Sequence, residues 1–292
     1  MNEKRRKPDW LKIRLPGGAK AARIENWHRR QGLHSVCASA ACPNRGECWS
    51  QGTATFMILG NLCTRDCAFC NISHGRPISP DPAEAAKVAA AVAELGLQYA
   101  VVTSVTRDDL DDGGAAAFVA LVKEIRQAAP ACRVELLIPD LGGNWNALEA
   151  ILAAGPDLLG HNLETVPRLY PLVRSGADYR RSLELLARCR NLRPDIPVKS
   201  GLMAGLGETR QELTETMAEL TANGCRLLTV GQYLQPTRNH WPVHRYLTPD
   251  EFQEIQGAGL KIGFAHVEAG PLVRSSYHAE EQYKEAINAK QG

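Results

Sequence analysis

The sequence predicts an α/β fold in which six β/α units form an open, partial barrel. One observation is a series of short runs rich in apolar and β-branched residues, which is typical of strands buried on both faces. These runs cover residues 54–60, 99–105, 133–139, 158–165, 197–205 and 227–234. Helical patterns follow them at residues 82–95, 114–129, 144–153, 179–190, 209–223 and 249–257. Such alternation favours a parallel sheet with right-handed crossovers, and six strands are too few to close a barrel of eight.

Most of these units carry polar or glycine residues where the strand ends, which is where parallel α/β folds place their reactive groups. The first strand runs into a turn that contains three cysteines. The second is followed by Thr103, Ser104, Arg107 and Asp108, the fourth carries Asn162 and Glu164, the fifth Gly205, Gly207 and Glu208, and the sixth Gln232 and Gln235. Residues 1–50 and the tail after residue 265 fall outside this scheme.

Bulk properties predict a cytoplasmic protein. The chain has 292 residues and a net charge of +2, with 44% hydrophobic and 23% charged residues. It contains no apolar run of the ~18 residues that a membrane span requires. The N-terminus is basic but lacks the apolar segment of a secretory signal, and Glu3 and Asp9 argue against a transit peptide. We therefore expect a complete protein with no membrane or nucleic-acid partner.

The chain contains 9 cysteines, and most of them lie between residues 37 and 70. A reducing cytoplasm argues against disulfides, so clustered cysteines indicate metal or redox chemistry. Cys132, Cys189 and Cys225 are scattered, and we expect them to be ordinary buried thiols because a free cysteine packs as a small hydrophobe.

The first cluster of cysteines, Cys63, Cys67 and Cys70, has the spacing C-x₃-C-x₂-C. Three thiolates can hold three irons of a 4Fe–4S cluster and leave the fourth iron open to a ligand or substrate. A zinc site with His74 as fourth ligand is the alternative, although zinc ligands usually come as two separated pairs.

This spacing, together with Phe69 before the third cysteine, resembles the signature of the radical S-adenosylmethionine (SAM) superfamily. The resemblance implies that the open iron chelates the amino and carboxylate groups of SAM. An electron from the cluster then cleaves SAM and yields a 5′-deoxyadenosyl radical that abstracts hydrogen.

The second cluster of cysteines, Cys37, Cys42 and Cys48, has the spacing C-x₄-C-x₅-C, which fits zinc motifs poorly. With the tail "RSSYHAEEQY", it resembles the lipoyl synthase family. Further matching segments are "VVTSVTRDDLDDGG", "HNLETV", "KSGLMAGLGET", "VGQYLQPTRNHWPV" and "GPLVRSSYHAEE". The resemblance implies that these cysteines and Ser276 hold an auxiliary 4Fe–4S cluster. As an alternative, Ser275 or Ser276 caps the last helix.

A cofactor pocket is expected at the strand ends. Asn162 and Glu164 point to one face of the fourth strand and can reach ribose hydroxyls, and Arg174 can pair with the SAM carboxylate. Met203 and Gly205 lie in a segment that resembles the adenine-contacting motif of the superfamily, and Thr103 lies at the end of the second strand. A polar strand end, turn geometry or solvated surface would explain these residues equally well.

The family resemblance implies a sulfurtransferase that inserts sulfur at carbons 6 and 8 of an octanoyl chain, using SAM and a sacrificial auxiliary cluster. The chain would be attached to a lysine of a carrier, either a 2-oxoacid dehydrogenase acyltransferase subunit or the glycine cleavage H protein. The implied electron donor is a ferredoxin or flavodoxin. Basic residues that could steer an acidic carrier are Lys4, Arg5, Arg6, Lys7, Arg45, Arg238 and Arg245.

We expect three regions: an N-terminal extension (1–52), the partial barrel (53–265) and a C-terminal tail (266–292) that completes the auxiliary cluster. Rival interpretations are another sulfur-inserting radical SAM enzyme, such as a biotin-synthase-like or methylthiolating protein, and a non-catalytic electron carrier or zinc-stabilised binding module.

Overall fold

One eight-stranded sheet forms the framework of the computed structural model, which describes residues 7–12, 22, 24–26, 32–40, 42–51 and 55–288. The strands are β1 (His34–Ser35), β2 (Thr55–Ile58), β3 (Tyr99–Ser104), β4 (Arg133–Leu137), β5 (Leu158–Gly160), β6 (Val198–Ala204), β7 (Leu227–Gln232) and β8 (His266–Gly270). They follow one another across the sheet in chain order. From β2 to β8 all pairs are parallel, whereas β1 is antiparallel to β2.

The six central strands, β2 to β7, are those expected from the sequence, and the α/β prediction is confirmed. The sheet also extends at both edges into the regions that the β/α scheme left out. β1 has only two residues, too few for a periodic signal, and most positions of β8 are only half buried. Neither strand therefore carries the apolar run that marks the other six.

The six expected helices are also present. They are α3 (Glu84–Leu95), α4 (Ala115–Ala128), α5 (Trp145–Ala153), α7 (Tyr179–Leu192), α8 (Arg210–Ala222) and α9 (Pro249–Ile262). Further helices are α1 (Val36–Ser39), α2 (Arg45–Gln51), α6 (Tyr170–Val173) and α10 (Ala279–Asn288). The expected end of α9 at residue 257 was too early. Gly257 is tolerated inside the helix, which ends at Gly263 in the left-handed conformation (φ 117°).

The amino ends of the strands are covered by the C-terminal helix. In α10, Tyr283 packs against Tyr99, with ring centroids 5.8 Å apart, and Ala286 packs against Leu158 and Leu227. These three partners are the first residues of β3, β5 and β7. Because this end of the sheet is filled by protein, the opposite end, where the strands finish, is left for the site. No helix in the described ranges is both long and apolar enough to cross a bilayer.

Candidate active site

The loop after β2 carries Cys63, Cys67 and Cys70 and is folded back on itself by backbone hydrogen bonds. Cys63 N–H donates to the carbonyl of Ser73 (2.9 Å), and Gly75 N–H donates to the carbonyl of Cys63 (2.9 Å). Cys70 N–H donates to the carbonyl of Cys67 (2.9 Å), which closes a tight turn. The spacing of the cysteines is therefore built into a self-supporting loop.

Neighbouring elements hold this loop at the carboxyl end of the sheet. Thr64 N–H donates to Thr106 O after β3 (3.0 Å), and Ala68 N–H donates to Val173 O at the end of α6 (2.9 Å). The guanidinium of Arg65 forms salt bridges of 2.7 Å with both Asp108 and Asp140. The salt bridge to Asp140 is shielded from water, since Asp140 is fully buried. Burial alone would raise the pKa of Asp140, but its hydrogen bond to Arg65 and the positive charge of that guanidinium lower the pKa well below its usual value.

The three thiols lie close together and are partly shielded from solvent. Burial, opposed by the positive charge of Arg174, raises the pKa of Cys67 to about 12. Burial likewise raises the pKa of Cys70 to about 11, and the charge of Cys63 adds to the shift in both cases. Two sulfurs accept backbone N–H groups, Cys63 Sγ from Arg65 (3.4 Å) and Cys70 Sγ from Ile72 (3.5 Å). Such donors stabilise negative charge on sulfur.

The second set of cysteines lies on α1, the following turn and α2. Cys42 N–H donates to the carbonyl of Cys37 (3.1 Å), and Cys48 N–H donates to the carbonyl of Asn44 (2.9 Å). Burial, with the added charges of Cys37 and Cys42, raises the pKa of Cys48 to about 12. The three thiols are therefore neighbours in space as well as in sequence.

The C-terminal tail lies against this second set. The Asn44 side chain donates to Leu272 O (2.6 Å), and the Tyr277 hydroxyl donates to the Glu47 carboxylate (3.1 Å). The hydroxyl of Thr55, the first residue of β2, donates to Ser276 Oγ (2.9 Å). Because α10 begins only at Ala279, Ser276 lies ahead of the helix end that it would have to cap.

Asn162 and Glu164 follow β5 and contact each other. Asn162 Nδ2 donates to Glu164 Oε1 (3.0 Å), and Glu164 has a positive φ of 71°. Burial raises the pKa of Glu164, and the charge of Arg174 opposes this shift. Arg174 itself donates to Leu163 O (3.3 Å) and to the Tyr170 hydroxyl. The structure thus brings three of the expected cofactor residues into one charged group near Cys67.

Phe69 and Met203 belong to one apolar cluster that also contains Trp241 and Leu206. The backbone N–H of Trp241 donates to Ala68 O (2.8 Å), so this cluster is attached to the cysteine loop. An apolar surface beside a charged group suits a ligand with a flat base and a charged end.

Two expected cofactor residues have partners within the protein. The Thr103 hydroxyl donates to Leu137 O (2.7 Å). Gly205 has φ 99°, its N–H donates to the Glu208 carboxylate (2.6 Å), and a Cβ there would lie 2.5 Å from Arg245 O. The space beside Gly205 is therefore occupied by the chain itself, and its left-handed turn supports the start of α8.

A model of the radical SAM superfamily matches residues 57–220 of the chain. The chain is 55% identical over 278 residues to the lipoyl synthase of Methylococcus capsulatus, covering 95% of this chain and 86% of the relative. It is 53% identical over 283 residues to the lipoyl synthase of Cronobacter sakazakii, covering 96% and 88%. The chain belongs to the lipoyl synthase family.

Solved structures agree with the fold of this lipoyl synthase family member. Methylornithine synthase (PylB) has a TM-score of 0.56 at 15% identity, covering 80% of this chain and 68% of that chain. Streptococcus suis SuiB bound to S-adenosylmethionine has a TM-score of 0.53 at 10% identity, covering 75% and 50%. At such identities the likeness concerns the fold alone, and it confirms the predicted radical SAM architecture.

Each of the two sets offers three thiols, the donors that normally hold iron–sulfur clusters, so the residues present fit the two clusters of a lipoyl synthase. Among the described residues, no three His, Cys, Asp or Glu side chains converge on one ion position. His74, the fourth ligand of the zinc alternative, instead lies 3.2 Å from Asp66. Burial raises the pKa of four of these thiols, Cys42, Cys48, Cys67 and Cys70, and coordination by iron would displace their protons.

The sequence analysis did not identify some of the residues that lie near these two sets of cysteines. A Cβ at Gly231 would overlap Val273 O, so the tail lies directly on β7 at this point. Arg274 is half-buried, and the partial loss of water around its guanidinium lowers its pKa, while it lies within electrostatic reach of Cys42 and Glu164. His240 Nε2 lies 2.9 Å from Cys70 O. The segments "VGQYLQPTRNHWPV" and "GPLVRSSYHAEE" mark these positions but do not say what they touch.

Proposed function

We propose that Cys63, Cys67 and Cys70 hold the cluster that binds SAM, and that Cys37, Cys42, Cys48 and Ser276 hold the auxiliary cluster. As a member of the lipoyl synthase family, the protein is a radical SAM sulfurtransferase that uses SAM and two 4Fe–4S clusters. It inserts two sulfur atoms, at carbons 6 and 8, into an octanoyl chain attached to a carrier protein. The bound groups supply the hydrogen-abstracting radical and the sulfur atoms.

The observation that carries the residue assignment is the position of the tail. Asn44, Glu47 and Thr55 bind the tail at Leu272, Tyr277 and Ser276, so the segment around Ser276 lies beside the N-terminal cysteines. A serine oxygen is a harder donor than the thiolates that normally hold iron–sulfur clusters, and we expect it to be displaced more easily. That property suits a cluster that gives up its sulfur during the reaction.

Thr55 supports Ser276 in this role. Its hydroxyl donates to Ser276 Oγ at 2.9 Å, and Thr55 is only 4% exposed. A donor aimed at a ligand oxygen stabilises negative charge on that oxygen and fixes its direction. Thr55 would thus hold the Ser276 oxygen in place for an iron of the auxiliary cluster.

The remaining assignments concern SAM. Arg174 pairs with its carboxylate, Asn162 and Glu164 bind its ribose, and Phe69, Met203 and the backbone near Gly205 and Thr103 line its pocket. The apolar cluster around Phe69 and Trp241 excludes water and stray hydrogen donors from the reacting carbon atoms.

For the partners, we propose an octanoylated 2-oxoacid dehydrogenase acyltransferase subunit or glycine cleavage H protein, with a ferredoxin or flavodoxin as electron donor, all in the cytoplasm. Exposed Lys7 and Arg238 are free to steer an acidic carrier, whereas Arg245 forms a 2.6 Å salt bridge with Glu251. Lys4, Arg5 and Arg6 lie outside the described residues. The three regions 1–52, 53–265 and 266–292 remain our division of the chain, with β8 joining the third region to the sheet.

Incubation of the reconstituted protein with SAM, a reductant and an octanoyl-lysine peptide tests this function. Mass spectrometry should show a peptide that has gained two sulfur atoms, and the protein should contain about eight irons and eight sulfides per chain. The metal and sulfide content and the mass of the peptide together separate this function from its rivals. A zinc-stabilised module would contain zinc and no sulfide, and an electron carrier would return the peptide unchanged.

A further inference from the structure

Ser275, beside the proposed cluster ligand, contacts the proposed SAM pocket. Asn162 Nδ2 donates to Ser275 Oγ (2.7 Å) and to Glu164 Oε1 (3.0 Å). Both protons of this amide group are therefore used, one by the tail and one by the carboxylate. Ser276, the next residue, turns the other way and accepts from Thr55. Ser275 therefore contacts the proposed SAM pocket, and Ser276 contacts the proposed auxiliary-cluster site.

Glycines on two neighbouring strands make room for this contact. A Cβ at Gly201 on β6 would lie 2.8 Å from Asn162 Oδ1, so the amide lies directly over the backbone there. A Cβ at Gly231 on β7 would overlap Val273 O and lie 3.0 Å from the Arg274 guanidinium. Gly201 pairs with Thr229 and Met203 with Gly231, which places both glycines on the same face of adjacent strands, two residues apart in register. The strands thus present bare backbone where the tail meets Asn162.

We propose that Ser275 is a positioning residue that couples SAM binding to the docking of the cluster-bearing tail. The tail, once docked, holds the Asn162 amide in one orientation beside Glu164. A ribose that binds this pair then meets side chains whose rotamers are already fixed, so less conformational entropy is lost on binding. This inference rests on the proposed function, since it takes Asn162 and Glu164 as SAM contacts and Ser276 as the cluster ligand.

The coupling has a definite sign. Because the Ser275 bond is present only when the tail is docked, SAM should bind more tightly to the docked form. Linkage requires the reverse as well, so bound SAM should favour the docked tail by the same factor. The protein would therefore secure the auxiliary cluster when SAM is in place.

Equilibrium binding of SAM to the oxidised, two-cluster protein tests the coupling without turnover. Replacing Ser275→Ala removes one neutral hydrogen bond, and we expect the Kd for SAM to rise about fivefold. Affinity for the octanoyl-lysine peptide and the iron content should not change. Ser79→Ala, at an exposed position outside both sites, is the matched control and should bind SAM as wild type does.

Hydrogen exchange on the wild-type protein provides a second measurement that needs no variant. Saturating SAM should slow amide exchange in residues 273–277, and this slowing should be lost in Ser275→Ala. An unchanged Kd in the variant, or equal exchange with and without SAM in wild type, would overturn the coupling.

Two further results separate this inference from the proposed function. Loss of half the iron in Ser275→Ala would make Ser275 the cluster ligand, which overturns both the coupling and the assignment of Ser276. A wild-type protein that shows the SAM-linked exchange but forms no dihydrolipoyl peptide would support the coupling and contradict the proposed function.

Discussion

Cys63, Cys67 and Cys70 lie in one loop, whereas Cys37, Cys42 and Cys48 face a tail from the far end of the chain. In the loop, backbone bonds between residues 63 and 75 fix the cysteines locally. The second set depends on contacts between residues 221 to 230 positions apart, namely Thr55 with Ser276, Asn44 with Leu272 and Tyr277 with Glu47. The first set of thiols is therefore positioned by its own loop, whereas the auxiliary-cluster site that we propose is complete only when both ends of the chain are docked.

This difference suits what each site must do. A cluster that binds SAM repeatedly needs a permanent set of thiolates on a rigid loop. A cluster that gives up its sulfur during the reaction, as we propose for the second set, benefits from a ligand segment that can move away from the thiols. The segment between β8 and α10 contacts Asn44, Glu47, Thr55 and Asn162 through single side-chain hydrogen bonds, which mutations can remove one at a time.

The largest effect is expected from breaking the local site. Cys67→Ala leaves only two thiolates in the loop, so SAM cleavage should fall to background while the auxiliary cluster keeps its iron. Iron should drop from about eight to about four per chain. Cys189→Ala, a buried cysteine on α7, is the control and should retain both clusters. Formation of 5′-deoxyadenosine by Cys67→Ala would refute the assignment of the loop.

Gly231→Ala should break the other site by displacing the tail. The added methyl group would overlap Val273 O, and overpacking of this kind costs about 1–3 kcal/mol. We expect loss of auxiliary iron and of dihydrolipoyl product, with SAM cleavage retained at saturating SAM. The control is Gly257→Ala on α9, where a Cβ has no heavy atom within 4 Å. Normal product formation by Gly231→Ala would mean that the reaction does not depend on the close contact between Gly231 and Val273.

A smaller change should come from Thr55→Val, which removes the donor to Ser276 but keeps the shape of the side chain. Loss of one hydrogen bond of about 0.5–1.5 kcal/mol should speed chelator removal of auxiliary iron by about 2- to 10-fold. Thr214→Val is the control because that exposed hydroxyl donates only to Arg210 O on its own helix. If both variants release iron equally fast, Thr55 does not support the ligand.

The smallest effect concerns pH. Burial lowers the pKa of His266, but the negative charges of Glu268, 3.4 Å from its ring, and of Glu285 outweigh it and raise the pKa above its usual value of 6.5. The raised pKa means that protonated His266 stabilises the fold fully below pH 6.5, and that this stability is lost as pH rises through the folded pKa. Because Glu285 is largely exposed, we expect less than about 1 kcal/mol.

Thermal melts at pH 6 and pH 8.5 check this expectation. The difference in Tm between wild type and His266→Gln should be larger at pH 6 and shrink at pH 8.5. A difference that grows with pH would show that the neutral imidazole is the favoured form.

Sequence reasoning worked where the determining contacts are local. The cysteine loop, the six central strands and six helices follow from spacing and periodicity within short windows. The bond between Asn162 and Ser275 joins residues 113 positions apart, and no local pattern specifies it. Likewise, the space that Gly231 leaves can be interpreted only when Val273 is seen to occupy it. The family resemblance indicated that the tail matters but not which strand carries it.

The central claim is that Ser276 of the tail is a ligand of the auxiliary cluster. Its most direct test is the ratio of dihydrolipoyl peptide to 5′-deoxyadenosine formed by Ser276→Ala, with both products measured in the same reaction. We expect normal 5′-deoxyadenosine, because Cys63, Cys67 and Cys70 are untouched, with little or no dihydrolipoyl peptide. Ser276→Cys should keep its cluster but release sulfur poorly, since thiolate binds iron better. A ratio in Ser276→Ala close to that of wild type would contradict the ligand assignment.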